Sequence, residues 1–192
     1  MEKRHRVFVA INLPHEIRKE LFEYSEKHLD LPAKWTAKDN LHITLEFLGA
    51  LTDEEAGEVC LAVKEVAERH SSFSLNLNKI LYGPPNLKAG QAPKFVWAEG
   101  DKSEELSALR EDLENSLAEK VAFVPENRVF APHITLARIS SWEWKAIEPE
   151  ERPEINENLD LLFTVESIEV MESEKRKDGQ VYTVLESHQL NN

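Results

Sequence analysis

Two periods alternate in the apolar positions of this chain. Val7 to Leu13 is a nearly continuous apolar run stopped by Pro14, which predicts a short buried strand. Pro14 then opens a helix through about His28, with Ile17, Leu21 and Tyr24 on one face. Leu41 to Leu48 predicts a second strand. Thr52-Asp53-Glu54-Glu55 has the form of a capping box, with Thr52 at the cap and Glu55 reaching back. The helix it starts carries Ala56, Val59, Cys60, Val63 and Val66 at helical spacing. Phe73 to Leu81 alternates and predicts a half-exposed strand, and the Pro- and Gly-rich stretch Tyr82 to Lys94 predicts a loop.

The second half repeats the order. Phe95 to Ala98 predicts a strand, and Ser103 caps a helix with Leu106, Leu109, Leu113 and Leu117 along one face. Val129 to Ile139 holds a further strand. Ser141 to Leu159 is polar and carries no clear period; its Trp142 and Trp144 suit surface packing, or else a wall of a site. Phe163 to Glu172 and Gln180 to Glu186 flank Asp178-Gly179, a hairpin turn signal. Alternating strands and helices with hairpin and meander signals predict an α+β fold. It has two similar lobes of antiparallel sheet with outer helices, related by a pseudo-twofold axis around a central cleft. The expected organisation is one bilobal domain over 1–192, with an internal duplication of about 7–94 and about 95–188.

Composition narrows the function. A hydrophobic fraction of 41% is enough to bury a core. The basic start, Met1 to Arg6, is followed by an apolar run too short for a signal peptide or a membrane span. A cytoplasmic monomer that does not engage membrane is therefore expected. The single cysteine, Cys60, leaves no internal disulfide and no cysteine-rich zinc site, and its place on a helix stripe suits core packing. The net charge of −13 opposes a grip on duplex DNA or other long polyanions. A small anion, or one chain end in a locally basic pocket, is still compatible with it.

The candidate chemistry lies in a repeated tetrapeptide. His-Ile-Thr-Leu stands at His42 to Leu45 and again at His133 to Leu136, about half the chain later. On an extended strand His42 and Thr44 share one face, and so do His133 and Thr135. Two such strands line one cleft with two imidazoles and two hydroxyls. Paired histidines suit phosphodiester chemistry, since a neutral imidazole takes a proton and an imidazolium gives one near neutral pH. Thr44 and Thr135 supply donors for non-bridging phosphate oxygens. Arg138 offers a charge-assisted contact, but an offset of five from His133 puts it on the opposite strand face. It reaches the cleft only if the strand ends or bulges first; otherwise it is a solvated strand-end arginine. His42 and Glu46 share a face by the same parity, a two-residue metal claw that finds Ala137 at the matching place in the repeat. No Gly-rich phosphate loop, His/Cys metal spacing or nucleophile elbow is present.

At these residues the chain resembles the two-histidine phosphoesterases, and most closely the RNA 2′,3′-cyclic phosphodiesterases once called 2′-5′ RNA ligases. That superfamily's signature is His, an apolar residue, Thr or Ser, and an apolar residue, twice. Arg6-Val7-Phe8-Val9-Ala10-Ile11-Asn12-Leu13-Pro14 looks like the family's opening. Asn40 to Leu45 with Phe47-Leu48-Gly49, and Pro132 to Arg138, look like its motif regions. Ser173 through Gly179 and Tyr182 to Leu185 resemble its closing hairpin.

The resemblance implies opening of a 2′,3′-cyclic phosphate at an RNA end to a 2′-phosphate, with no metal and no cofactor, and a weaker reverse 2′-5′ ligation. It implies His42 as the acid on O3′ and His133 as the base on water. Thr44, Thr135 and Arg138 would hold the phosphate, and Phe47, the repeat equivalent of Arg138, would stack on the terminal base, unless it packs in the core instead. The chain departs from the family's commoner pattern at Glu46 and Ala131, where basic or neutral residues and an arginine are frequent; both departures are expected to remove positive charge beside the cleft and so to weaken a grip on long RNA. Two alternatives keep the fold: a non-catalytic nucleotide-binding module, and a phosphodiesterase for small nucleotide cyclic phosphates.

Overall fold

The computed structural model describes residues 3–85, 91–125, 130–177 and 179–192. The first apolar run is β1 (His5–Asn12), followed by α1 (His15–Lys27), a three-residue β2 (Ala33–Trp35) and β3 (His42–Leu51). Then come α2 (Asp53–Ala67), β4 (Phe73–Gly83), β5 (Phe95–Gly100), α3 (Glu104–Lys120) and β6 (His133–Ile139). The chain closes with α4 (Ser141–Ala146), β7 (Asn156–Val165), β8 (Ser167–Arg176) and β9 (Gly179–Gln189).

Local signals start the helices where the sequence predicts. The Glu55 amide donates to Thr52 Oγ1 at 3.2 Å and the Thr52 amide to Glu55 Oε2 at 2.8 Å, which completes the capping box of α2. The Leu106 amide donates to Ser103 Oγ at 3.0 Å at the start of α3. The apolar stripes of α1, α2 and α3 join one core with Val7, Val9, Ile11, Ile43, Ile134 and Leu136. The three long helices therefore cover one face of the sheet.

Eight strands lie in the order β7-β4-β5-β6-β3-β1-β8-β9, with β2 added on β6. Each of these strand pairings is antiparallel. The order is symmetric about the β6/β3 seam. Each motif strand has the opening strand of its own half at its outer side, β5 beside β6 and β1 beside β3. Beyond these the halves exchange strands, because β4 pairs with β5 while β8 pairs with β1. At the seam one ladder pair joins β3 to β6, Ile43 opposite Ile134, both fully buried. Beyond it the edge of β6 is taken by β2, with Trp35 opposite Ala137.

Several segments differ from the sequence reading. The run Phe163 to Glu172 is two strands, interrupted at Glu166. The polar stretch 141–159 resolves into α4, a 3-10 turn at Pro149–Glu151 and the start of β7. Trp144 is buried, with its ring 5.3 Å from that of Tyr82, and answers to the packing reading, whereas Trp142 is exposed. Tyr82 and Gly83 belong to β4 rather than to a loop. Residues 86–90 of the expected loop, Val129 and Asp178 lie outside the described residues.

Candidate active site

The site sits on the sheet face opposite the helices, at the β3/β6 seam. Side chains opposite each other in an antiparallel pair share a face. Since Ile43 faces Ile134 and both join the helix-side core, His42, Thr44, His133 and Thr135 all point to the other side. Each histidine is the first residue of its strand, and each ring is fixed in the same way. His42 Nδ1 donates to the Asn40 carbonyl at 2.7 Å, and His133 Nδ1 to the Ala131 carbonyl at 2.8 Å. A carbonyl only accepts, so each Nδ1 carries hydrogen and each Nε2 is the nitrogen that can exchange a proton. His42 Nε2 lies 3.1 Å from Thr44 Oγ1.

The surroundings of the two rings differ. His42 stands among Phe8 and Tyr182, at ring-centroid distances of 5.0 Å from each. Burial holds its pKa below the usual histidine value, against the raising effect of the Asn40 carbonyl, and the charge of His133 lowers it further. His133 is stacked on Trp97 at 3.9 Å with an interplanar angle of 27°, and Phe95 stacks on Trp97 in turn. The indole lies flat because β4 offers it Gly83, where any Cβ would overlap the Trp97 ring. Trp97 is a neighbour that the motif alone does not reveal; its signal in the sequence is parity, two residues from Phe95 and Glu99 on the cleft-facing side of β5.

β-bulges answer the parity objection to Arg138. Along β6, Val96 pairs with Ala137 and Trp97 with Thr135, so Leu136 has no opposite number. Leu136 and Ala137 both turn into the core, and Arg138 emerges exposed on the cleft face over the Phe95 ring at 4.9 Å. β3 is built alike. Val9 pairs with Glu46 and Ala10 with Thr44, Leu45 is skipped, and Phe47 comes out 63% exposed. Its ring lies 5.9 Å from Phe8. Phe47 is therefore not core packing. The charges of Arg138 and Arg6 both act on the Tyr182 phenol, whose pKa burial raises, which puts positive charge beside His42.

The same bulge corrects the reading of Glu46. It does not share a face with His42, so the metal claw does not form. Its side chain is 2% exposed on the helix side, in contact with Arg110 of α3. It therefore removes no positive charge from the cleft. Ala131 also serves the site, through its backbone carbonyl. Among the described residues, no group of three His, Cys, Asp or Glu side chains is placed to hold a metal ion. Cys60 is buried and its thiol is pushed up to about 11, which suits packing rather than nucleophilic attack. No helix among the described residues is long and apolar enough to cross a membrane.

Known proteins share this fold and much of this sequence. A family model described as LigT-like phosphoesterase matches residues 11–92 and 96–182. An RNA 2′,3′-cyclic phosphodiesterase of Thermus thermophilus is 31% identical over 191 residues, covering 96% of this chain and 90% of the relative. The solved structure of TT0787, also from Thermus thermophilus, superposes with a TM-score of 0.82 at 30% identity, covering 97% of this chain and 98% of the other. Escherichia coli LigT complexed with 3′-AMP gives 0.78 at 26% identity, covering 99% of this chain and 100% of the other.

Proposed function

The chain belongs to the LigT-like phosphoesterase family, and from that premise we propose that it hydrolyses 2′,3′-cyclic phosphates at RNA ends to 2′-phosphates, using paired histidines and no metal. It is an enzyme of the cyclic phosphodiesterase class. One observation carries the reading: two imidazoles and two threonines share one face at the seam, each ring held through Nδ1 with Nε2 as the proton-exchanging nitrogen. The relatives' common activity on RNA cyclic phosphates supplies the substrate class.

In the reaction, His133 Nε2 takes a proton from water, and the water oxygen attacks phosphorus. The bond from phosphorus to O3′ breaks, and His42 Nε2 gives its proton to O3′, leaving a 3′-hydroxyl and a 2′-phosphate. Thr44 and Thr135 donate to the non-bridging oxygens, and Arg138 adds charge there. Phe47, exposed beside Phe8, stacks on the terminal base. The low pKa of His42 in the free protein is opposed by the incoming phosphodiester anion, which favours the imidazolium just when an acid is needed. A 5′-hydroxyl in place of water gives a 2′-5′ linkage, the weaker activity.

Turnover of an oligonucleotide ending in a 2′,3′-cyclic phosphate, in excess EDTA, tests the reading. The expected product is the 2′-phosphate. His42→Ala and His133→Ala should each lose on the order of a hundredfold or more in rate. Loss of wild-type turnover on chelation, restored by added zinc, would show that the chemistry is assigned wrongly.

A further inference from the structure

At each bulge a carbonyl accepts from a donor outside the strand pair that carries the bulge. In β6 the Thr36 amide donates to the Leu136 carbonyl at 2.8 Å, and Thr36 Oγ1 to the Thr135 carbonyl at 2.8 Å. In β3 the donor is a side chain. Arg110 Nε of α3 donates to the Leu45 carbonyl at 3.4 Å, and the same guanidinium touches the Glu46 carboxylate. Arg110 therefore holds both residues that make the bulge. Its other contacts are Glu114 at 2.6 Å and the Phe130 ring at 4.6 Å. Phe130 leads into Ala131, whose carbonyl fixes His133. A half-open cavity of about 250 Å³, bounded by Leu106, Ser107, Phe130 and Pro132, lies beside Arg110. The carboxylates, the Leu45 carbonyl and the Phe130 ring hold the guanidinium.

We propose that Arg110 is a positioning residue: from behind the sheet it holds the Leu45–Glu46 bulge that turns Phe47 into the cleft, and so sets the preference for a substrate carrying a terminal base. This inference rests on the proposed function, in which Phe47 stacks on that base. His42 and Thr44 precede the bulge, and their strand is fixed separately by the Ile43/Ile134 pair and by the Asn40 carbonyl. Loss of the bulge moves Phe47 by the pleat's period, while the proton-transfer groups stay in register. Arg110 touches no reacting atom in this scheme.

The test compares kcat/KM on a cyclic-phosphate dinucleotide with kcat/KM on a base-free ribose 2′,3′-cyclic phosphate, and reads the ratio. Phe47→Ala sets the scale and should lower the ratio by roughly tenfold or more, as loss of a stacked base does. Arg110→Met should lower it by about three- to tenfold, mainly through KM on the dinucleotide. Arg110→Lys should rescue it in part, and Arg110→Met added to Phe47→Ala should lower it no further. Arg110→Met strands two carboxylates, so Arg110→Met with Glu46→Gln is made as well. Glu46→Gln alone keeps the Arg110 contact to Leu45 and should keep the ratio; the double variant should lose it. An unchanged ratio in Arg110→Met or the double variant, or equal losses on both substrates, overturns the inference. A wild-type protein that turns over neither substrate, or a ratio unmoved by Phe47→Ala, contradicts instead the function on which the inference rests.

Discussion

Glu46→Gln should change how stability depends on pH, because Glu46 is a carboxyl that the fold keeps out of water. Burial and the hydrogen-bonded Glu114 carboxylate push its pKa up to about 7, against the pull of Arg110. Two carboxylates share one guanidinium, and a proton on Glu46 relieves their repulsion. The ordinary value is 4.5, so the folded pKa is raised above the unfolded one. The proton on Glu46 therefore stabilises the fold fully below the unfolded value, and that stability is lost as pH rises through about 7. At 1.36 kcal/mol per pKa unit the full effect is about 3 kcal/mol, of which about 2 kcal/mol falls between about pH 5.5 and 8.5. For a chain of this size that is a Tm loss of about 4–8 °C. Thermal unfolding by circular dichroism across this range, wild type beside Glu46→Gln, reads the Glu46–Glu114 pair, since the titrating groups outside the pair are common to both. The wild type should lose that much more Tm than the variant as pH rises. Parallel curves would refute the buried, proton-sharing cluster.

Other outcomes follow from the site. The alkaline limb of kcat should lie at higher pH than that of kcat/KM, because burial lowers the His42 pKa in the free protein and a bound phosphate anion opposes it; pH–rate profiles on one oligonucleotide check this. Trp97→Ala should lower kcat by about tenfold with Trp97→Phe partly restoring it, and Gly83→Ala, which displaces the indole, should lower kcat too and cost about 1–3 kcal/mol in denaturant unfolding. Activity on short oligonucleotides should fall only gently with salt, since the net charge is −13 and, among the described residues, Arg6 and Arg138 are the arginines whose charge reaches Tyr182 beside His42; a steep slope of log kcat/KM against log salt would show more phosphate contacts than these supply.

The elements and most of the candidate site are legible along the chain where period and local chemistry agree. The capping box at Thr52, the Leu106 to Leu117 stripe and the alternation in His42 to Leu45 each encode their geometry within a few residues. Strict alternation misleads after Leu45 and Leu136. A bulge consumes one extra residue and exchanges the faces of all that follow, which is why Glu46 lies among the helices while Phe47 and Arg138 face the cleft. Nothing local marks a bulge, because it is stabilised by distant donors, Arg110 and Thr36. β2 escapes the pattern because three residues on the edge of β6 are too few for a period. Trp97 escapes because its role comes from the ring beneath it and the space left by Gly83, contacts between strands that no spacing along the chain records.

The central claim is that the two histidines divide the proton transfers, and an activated leaving atom tests it most directly. With sulfur in place of O3′ in the cyclic phosphate, the leaving group departs without a proton, so the acid is dispensable and the base is not. In EDTA, His42→Ala should recover much of its lost rate on this substrate, while His133→Ala should stay impaired. Rescue of His133→Ala instead would reverse the two roles, and rescue of neither would contradict the division of acid and base altogether.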